Sequence, residues 1–311
     1  MPELPEVETT VRGLNSTVRG LTITDVWTDY NSLFHRGKDN IKNPAYFVKF
    51  KKTIVGATIT GARRSAKNVL IDLSNGQTVL IHMKMTGHLL YGRYKKTRID
   101  TKETWVVDGD VHPTSHPLHD PFNRWIHLVF SLSSGKQLAF SDLRKFAKVI
   151  FFETSNAHEH ADLKKLGPEP LEKKFTYSLF AERLLMRPTG NIKQVLMDQS
   201  VIAGIGNIYS DELLWKANVH PLSIVKKIPT AQLCAMFAAT RHVLEKGIDF
   251  GGDSTSDYRN IHGERGAFQH KHNVYRHTGK PCPRRGCSGA IARLKVGGRS
   301  AHFCDTHQHR Y

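Results

Sequence analysis

The chain has 311 residues, 39% of them hydrophobic, which is enough for two packed domains and a small third. Lys and Arg number 45 against 28 Asp and Glu, and the resulting net charge of +17 points to a polyanionic partner. No apolar run is long enough to span a bilayer and the acidic N-terminus lacks the apolar core of a signal peptide, so membrane insertion and secretion are set aside.

Leu4, Val7, Val11, Leu14 and Val18 recur at helical spacing, so residues 3–18 are expected to form an amphipathic helix ending near Gly20. Pro5 fits the first turn, where its missing N–H is no loss, and Glu3, Glu6 and Glu8 suit the positive end of the helix dipole. If Met1 is removed, Pro2 becomes a secondary amine at the head of this helix. A free α-amino group titrates at about 7.7–8.0, and the dipole lowers that further, so the amine is a usable nucleophile near neutral pH. The plainer reading is a capped helix with a solvated acidic start.

Strand-like runs follow at 21–27, 46–50, 55–63, 69–73, 78–83, 125–131, 137–141 and 148–152. Turn signals such as Ser74-Asn75-Gly76 and Ser133-Ser134-Gly135 separate them, which suggests a β-sandwich. A polar, Pro- and His-rich stretch at about 93–124 interrupts the pattern and reads as an inserted loop. Within it Asp108, Asp110, His112, His116, His119 and Asp120 have the donors for a second metal, though a solvated loop is the simpler reading.

The texture changes at Leu166-Gly167-Pro168, and helices are expected at about 176–186, 191–198, 206–216 and 230–246. Cys234, in an apolar stretch of the last, reads as a core thiol. The other three cysteines sit in the last thirty residues, where clustering favours metal binding over disulfides. Cys282, Cys287 and Cys304 with His307 make a closed tetrahedral set for one structural zinc ion, with His302 and His309 competing as fourth ligand. The alternative is a tail that packs without metal. The expected architecture is an α+β multidomain chain: helix plus β-sandwich over 1–160, a helical domain over 161–271, and a zinc finger over 272–311.

The opening MPELPEVETTVRGL resembles the start of formamidopyrimidine-DNA glycosylases, the Fpg/Nei family of base-excision repair enzymes. Further motifs extend the resemblance over almost the whole chain. Residues 197–212 are similar to the family's helix–two-turn–helix motif, His82-Met83-Lys84-Met85-Thr86-Gly87 to its loop with a phosphate-binding His and an intercalating Met, and Asp142-Leu143-Arg144-Lys145-Phe146 to its Asp-Pro-Arg turn. Leu143 replaces the usual Pro and Ala147 the usual Gly. The family's zinc ligands are four cysteines at two-residue spacing, from which this tail departs.

The resemblance implies a catalytic set of Pro2 as nucleophile, Glu3 as proton donor, Glu6 in support and Lys67 on phosphates beside the lesion. It implies DNA contacts by His82, Met85, Arg144 (facing the base left unpaired), Phe146 (a wedge), Lys193 (near the damaged nucleotide), Asn207 and Arg299 (on phosphates). Base extrusion costs a few kcal/mol, which an inserted arginine and apolar wedge offset. The glycine-rich stretch from Gly251 to Gln269 resembles the lid that closes over 8-oxoguanine, so excision of oxidised purines, opposite C, is expected. The rivals are an oxidised-pyrimidine (Nei-type) glycosylase and a non-catalytic damage-binding protein. The expected partner is damaged double-stranded DNA, and the expected form a cytoplasmic, nucleoid-associated monomer.

Overall fold

Helix α1 spans Leu4–Thr17 and buries Leu4, Val7, Val11 and Leu14, the stripe that the spacing predicts. Pro5 sits in its first turn, and Glu3 and Glu6 form a capping box. The computed structural model describes residues 1–99, 101–109 and 116–311. Asp110 and His112 of the expected metal-capable loop therefore lie outside the described residues. No helix among the described residues is long and apolar enough to cross a membrane.

The chain divides into two compact units, 1–163 with 250–267 and 164–249 with 268–311. In the first, strands β1 (Ile23–Thr28), β2 (Ile59–Ser65), β3 (Asn68–Leu73), β4 (Gln77–His82), β5 (His88–Gly92), β8 (Ile126–Leu132), β9 (Gln137–Ser141) and β10 (Lys148–Glu153) make two antiparallel sheets, ordered β1-β8-β9-β5 and β10-β4-β3-β2. Leu128, Phe130 and Phe140 from one sheet and Leu70, Leu80 and Ile150 from the other share one core with the buried stripe of α1. This is the β-sandwich expected.

Two expectations fail here. Residues 46–50 belong to helix α2 (Pro44–Ile54), not to a strand. Asn43 caps it by accepting from Ala45 N, Pro44 starts it, and Tyr46, Phe50 and Ile54 are buried at four-residue intervals. The stretch 93–124 is not a loop throughout. Strands β6 (Tyr94–Ile99) and β7 (Lys102–Val107) pair as a hairpin, followed by 3-10 turns at Pro117–His119 and Pro121–Arg124. Tyr94, Trp105 and Leu118 cover Leu90, Val129 and Ala139, so β5, β8 and β9 are buried on both faces.

The second unit holds helices α3 (Tyr177–Leu185), α4 (Ile192–Met197), α5 (Asn207–Lys216) and α6 (Thr230–Asp249) and the hairpin of β11 (Ile291–Val296) and β12 (Arg299–Cys304). The tail is stapled to α5 rather than standing apart. Glu212 accepts from the backbone N–H groups of Asn273, Val274 and Tyr275, and Asp211 from that of His302. Residues 250–267 fall with the first unit rather than with the helices because Glu6 and Gly13 of α1 receive them: Asp253 N donates to Glu6 Oε1 at 2.7 Å, and Ile261 packs on Gly13. Cys234 is exposed, not in the core, because the helical phase of α6 buries Met236, Ala239 and Val243 instead.

Candidate functional site

Pro2 is buried at the head of α1, and Glu3 and Glu6 behind it are 2% and 1% exposed. Glu3 N donates to Glu6 Oε2 at 2.7 Å, so one carboxylate fixes the backbone that carries Pro2. The same carboxylate receives Asp253 N through Oε1, and Tyr258 donates its hydroxyl to Glu6 O at 3.0 Å. Burial and the charge of Glu6 raise the Tyr258 phenol far above its ordinary range, so it stays a donor. Gly252 has φ +85°, and a Cβ there would lie 2.9 Å from Glu6 Cγ, so only glycine lets the 250–258 loop come this close. Lys67, 6% exposed, sits in the turn between β2 and β3 beside Ala66, whose φ is +53°.

His82 ends β4. Burial, then the positive charges of Lys84 and Lys67, lower its pKa to about 3, so the ring is neutral at physiological pH. Lys84 N donates to Nδ1 at 3.0 Å, which leaves the proton on Nε2 as a donor suited to a phosphate oxygen.

Met85, Arg144 and Phe146 come together at the surface. Met85 is 44% and Phe146 49% exposed, and neither packs into the core. Arg144 Nη1 lies 3.0 Å from Met85 Sδ, and its guanidinium carbon 4.4 Å from the Phe146 ring centroid. Ala147 does not need the freedom of the glycine it replaces: it has no positive φ, and its N–H donates to Asp142 Oδ2. Lys145 takes the left-handed conformation instead, with φ +54°.

In the second unit, Gln199 shapes the turn between α4 and α5: its side chain accepts from Gly204 N and donates to Met197 O and Ile205 O. Asn207 opens α5, and its buried Oδ1 has no partner among the described residues. Asn207, Tyr275, Arg276, Arg293 and Arg299 line a cleft of about 430 Å³, a basic cradle at a helix N-terminus that suits a phosphate. Lys193, expected near the damaged nucleotide, is held inside the second unit. It is fully buried, and its ammonium donates to Asp211 Oδ1 and to Asn207 O. Asp211 also holds His302 through its N–H and Nδ1. Lys193 therefore acts on the first turn of α5 from behind.

The donor atoms of Cys282, Cys287, Cys304 and His307 lie within 4.8 Å of one another. Cys287 Sγ is 3.6 Å from Cys304 Sγ, and Cys282 Sγ is 3.4 Å from His307 Nδ1. Such separations are close to the edges of a tetrahedron with metal–sulfur bonds of about 2.3 Å, so the donor set fits zinc. Trp215 supports it, donating Nε1–H to Cys282 Sγ and offering its carbonyl to His307 Nε2. In the 93–124 stretch, Asp108 pairs with Lys95 and Asp120 with Arg259.

Asp142, Asp211, Gln199, Tyr258 and Arg259 carry no individual role in the sequence reading, and Asp120 only that of a possible metal donor. Asp142, Asp211 and Gln199 lie inside the recognised motifs, which was the only signal available. Tyr258 and Arg259 lie inside the lid-like stretch, but nothing in sequence marks Arg259 as the partner of Asp120, 139 residues away.

The family model for the formamidopyrimidine-DNA glycosylase N-terminal domain matches residues 1–149, that for the H2TH domain 166–259, and that for the zinc finger found in FPG and IleRS 279–306. A formamidopyrimidine-DNA glycosylase of Pelotomaculum thermopropionicum is 36% identical over 308 residues, 99% of each chain. The fold superposes with TM-score 0.81 on Lactococcus lactis Fpg bound to DNA containing an abasic site, at 29% identity over 99% of this chain and 100% of that one. It superposes equally, at 0.81 and 29% with the same coverage, on that enzyme bound to DNA carrying N7-benzyl-Fapy-dG. From its first helix through its Cys3His tail, the chain belongs to the formamidopyrimidine-DNA glycosylase family.

Proposed function

We propose that the protein is a bifunctional DNA glycosylase and AP lyase that removes oxidised purines, 8-oxoguanine and formamidopyrimidines, from duplex DNA. The observation that carries this reading is the buried pair Glu3 and Glu6, with Glu6 Oε2 holding Glu3 N at 2.7 Å directly behind Pro2. Two carboxylates are buried there, both in the capping box, and Glu3 directly follows in sequence the residue whose amine methionine removal exposes. The capping box alone would serve any helix start; what favours a catalytic one is that both of its carboxylates are almost wholly buried behind Pro2.

In the proposed cycle Met85, Arg144 and Phe146 fill the gap left by the extruded base. The Pro2 nitrogen attacks C1′ while Glu3 gives a proton to the ring oxygen of the opening sugar. The base leaves with the C1′–N bond electrons and takes up the proton lost by the Pro2 nitrogen, and an iminium remains, which acidifies the C2′ proton. Loss of that proton expels the 3′ phosphate, and a second elimination expels the 5′ phosphate. Water then hydrolyses the iminium and returns the amine. His82, Asn207, Arg299 and Lys67 hold phosphates, and Lys193 supports Asn207 through its carbonyl. Cys282, Cys287, Cys304 and His307 would hold one zinc ion, which contributes folding energy and no chemistry.

Glu3→Gln tests the assignment. It is expected to lose base excision while retaining substantial cleavage of a duplex with a preformed abasic site, measured by strand scission. Equal loss of both activities contradicts the role given to Glu3.

A further inference from the structure

The loop 250–258 has two anchors, and only one is on the catalytic helix. The second lies at the end of the inserted stretch. Arg259, directly after the loop, is 1% exposed and heads the fully buried side chains by size. Its guanidinium makes a bidentate pair with Asp120, Nε donating to Oδ2 at 2.9 Å and Nη2 to Oδ1 at 3.1 Å. Nη1 donates to the carbonyls of Ser256 at 3.0 Å and Tyr258 at 2.8 Å, and the Phe122 ring lies 4.9 Å from the guanidinium carbon. Asp120 is itself fixed by Phe122 N at 2.9 Å. Beside this pair, Asn123 donates to Gly263 O and Pro117 O and presents Oδ1 to His88 Nε2. Gly263 has φ +84°, and a Cβ there would lie 2.9 Å from the Leu118 backbone, so the two segments touch main chain to main chain.

A guanidinium buried this deeply is tolerable because four of its five N–H donors meet acceptors, and its planar fork fixes direction as well as distance. The carbonyls it orients belong to the loop whose other end rests on Glu6. We propose that Asp120 and Arg259 are positioning residues that set the backbone of the 250–258 loop from the inserted stretch. Recognition and excision of a damaged base then depend on the pair, while cleavage at a site that has already lost its base does not. This rests on the glycosylase and lyase reading above. An abasic site offers no base for the loop to read, and the α1 anchor through Asp253, Tyr258 and Glu6 stays in place without the pair.

The test uses full-length Asp120→Asn and Arg259→Lys, both close in volume to the residues they replace. Misplacement of about 1 Å costs roughly a hundredfold, so excision of 8-oxoguanine opposite C is expected to fall at least about tenfold. Cleavage of an abasic duplex is expected to stay within about threefold, since the reacting groups are untouched. Hydrogen exchange on the free proteins is expected to speed up in 250–258 and to leave Leu4–Thr17 protected. Parallel loss of both activities, or unchanged exchange in the loop, overturns the proposal. If the wild-type protein acts on neither duplex, the functional reading has failed and exchange alone decides the clamp: faster exchange supports it and unchanged exchange overturns it.

Discussion

Thr86 Oγ1 donates to Asp142 Oδ1 at 2.5 Å, and this bond ties the turn that carries Met85 to the turn that carries Arg144 and Phe146. Asp142 is fully buried and also accepts from Tyr30 Oη at 3.0 Å and Ala147 N at 2.9 Å, while Arg144 N donates back to Thr86 Oγ1 at 3.2 Å. Burial, with the charge of Asp142, raises the Tyr30 phenol well above its ordinary value, so Tyr30 stays a donor. Asp142→Asn leaves a buried donor facing donors, at a cost of about 2–4 kcal/mol. Denaturant unfolding is expected to report that loss, and base excision to fall further than duplex binding. Wild-type stability and activity in the Asp142→Asn protein would contradict the role of this carboxylate.

Acid sensitivity should come from the buried His88 and the half-buried His82. Burial lowers His82 to about 3 and His88 to about 4, the latter against Thr86 O, Asn123 Oδ1 and Asp257 and with Arg259 nearby. Both bind protons less readily in the fold than in the unfolded chain, where the value is 6.5. Their contribution is therefore complete above that value and drains away as the pH falls toward about 4 and then 3. At about pH 5 each is expected to cost the fold about 2 kcal/mol, visible as a lower Tm than at about pH 7.5. His88→Gln should flatten that dependence, and an unchanged slope would show that the titrating groups lie elsewhere.

Metal analysis should find about one zinc ion per chain. His307→Ala and Cys287→Ala are expected to lose it and to loosen the tail, whereas His302→Ala and His309→Ala keep it, because His302 is already committed to Asp211. A ratio near two would instead indicate metal in the inserted stretch.

The proposed lesion choice rests on the resemblance of the 251–269 stretch to the family's lid. In matched duplexes, 8-oxoguanine opposite C is expected to be cleaved faster than thymine glycol. The reverse order would move the protein to the pyrimidine-directed branch.

Much of this was legible in the residues, for local reasons. The stripe of α1, the turn signals between strands and the Cys-His spacing each encode a short-range pattern that survives folding. The misreadings have equally local causes. Tyr46-Phe47-Val48 has strand-like composition, yet Asn43-Pro44 starts a helix there. The β6–β7 hairpin hides because its outward residues are charged, with Lys96 opposite Trp105 and paired instead to Glu103. The burial of Lys193 is not legible because its partner, Asp211, lies in the following helix, across the intervening turn. The Arg259–Asp120 pair left no sequence signal, since nothing local marks a contact across 139 residues.

The measurement that bears most directly on the account is borohydride trapping on an 8-oxoguanine duplex, with the adduct mapped by mass spectrometry. The account predicts a protein lacking Met1 and a covalent adduct on Pro2. A protein lacking Met1 that binds the 8-oxoguanine and abasic duplexes but is trapped on neither would contradict it and leave a damage-binding protein.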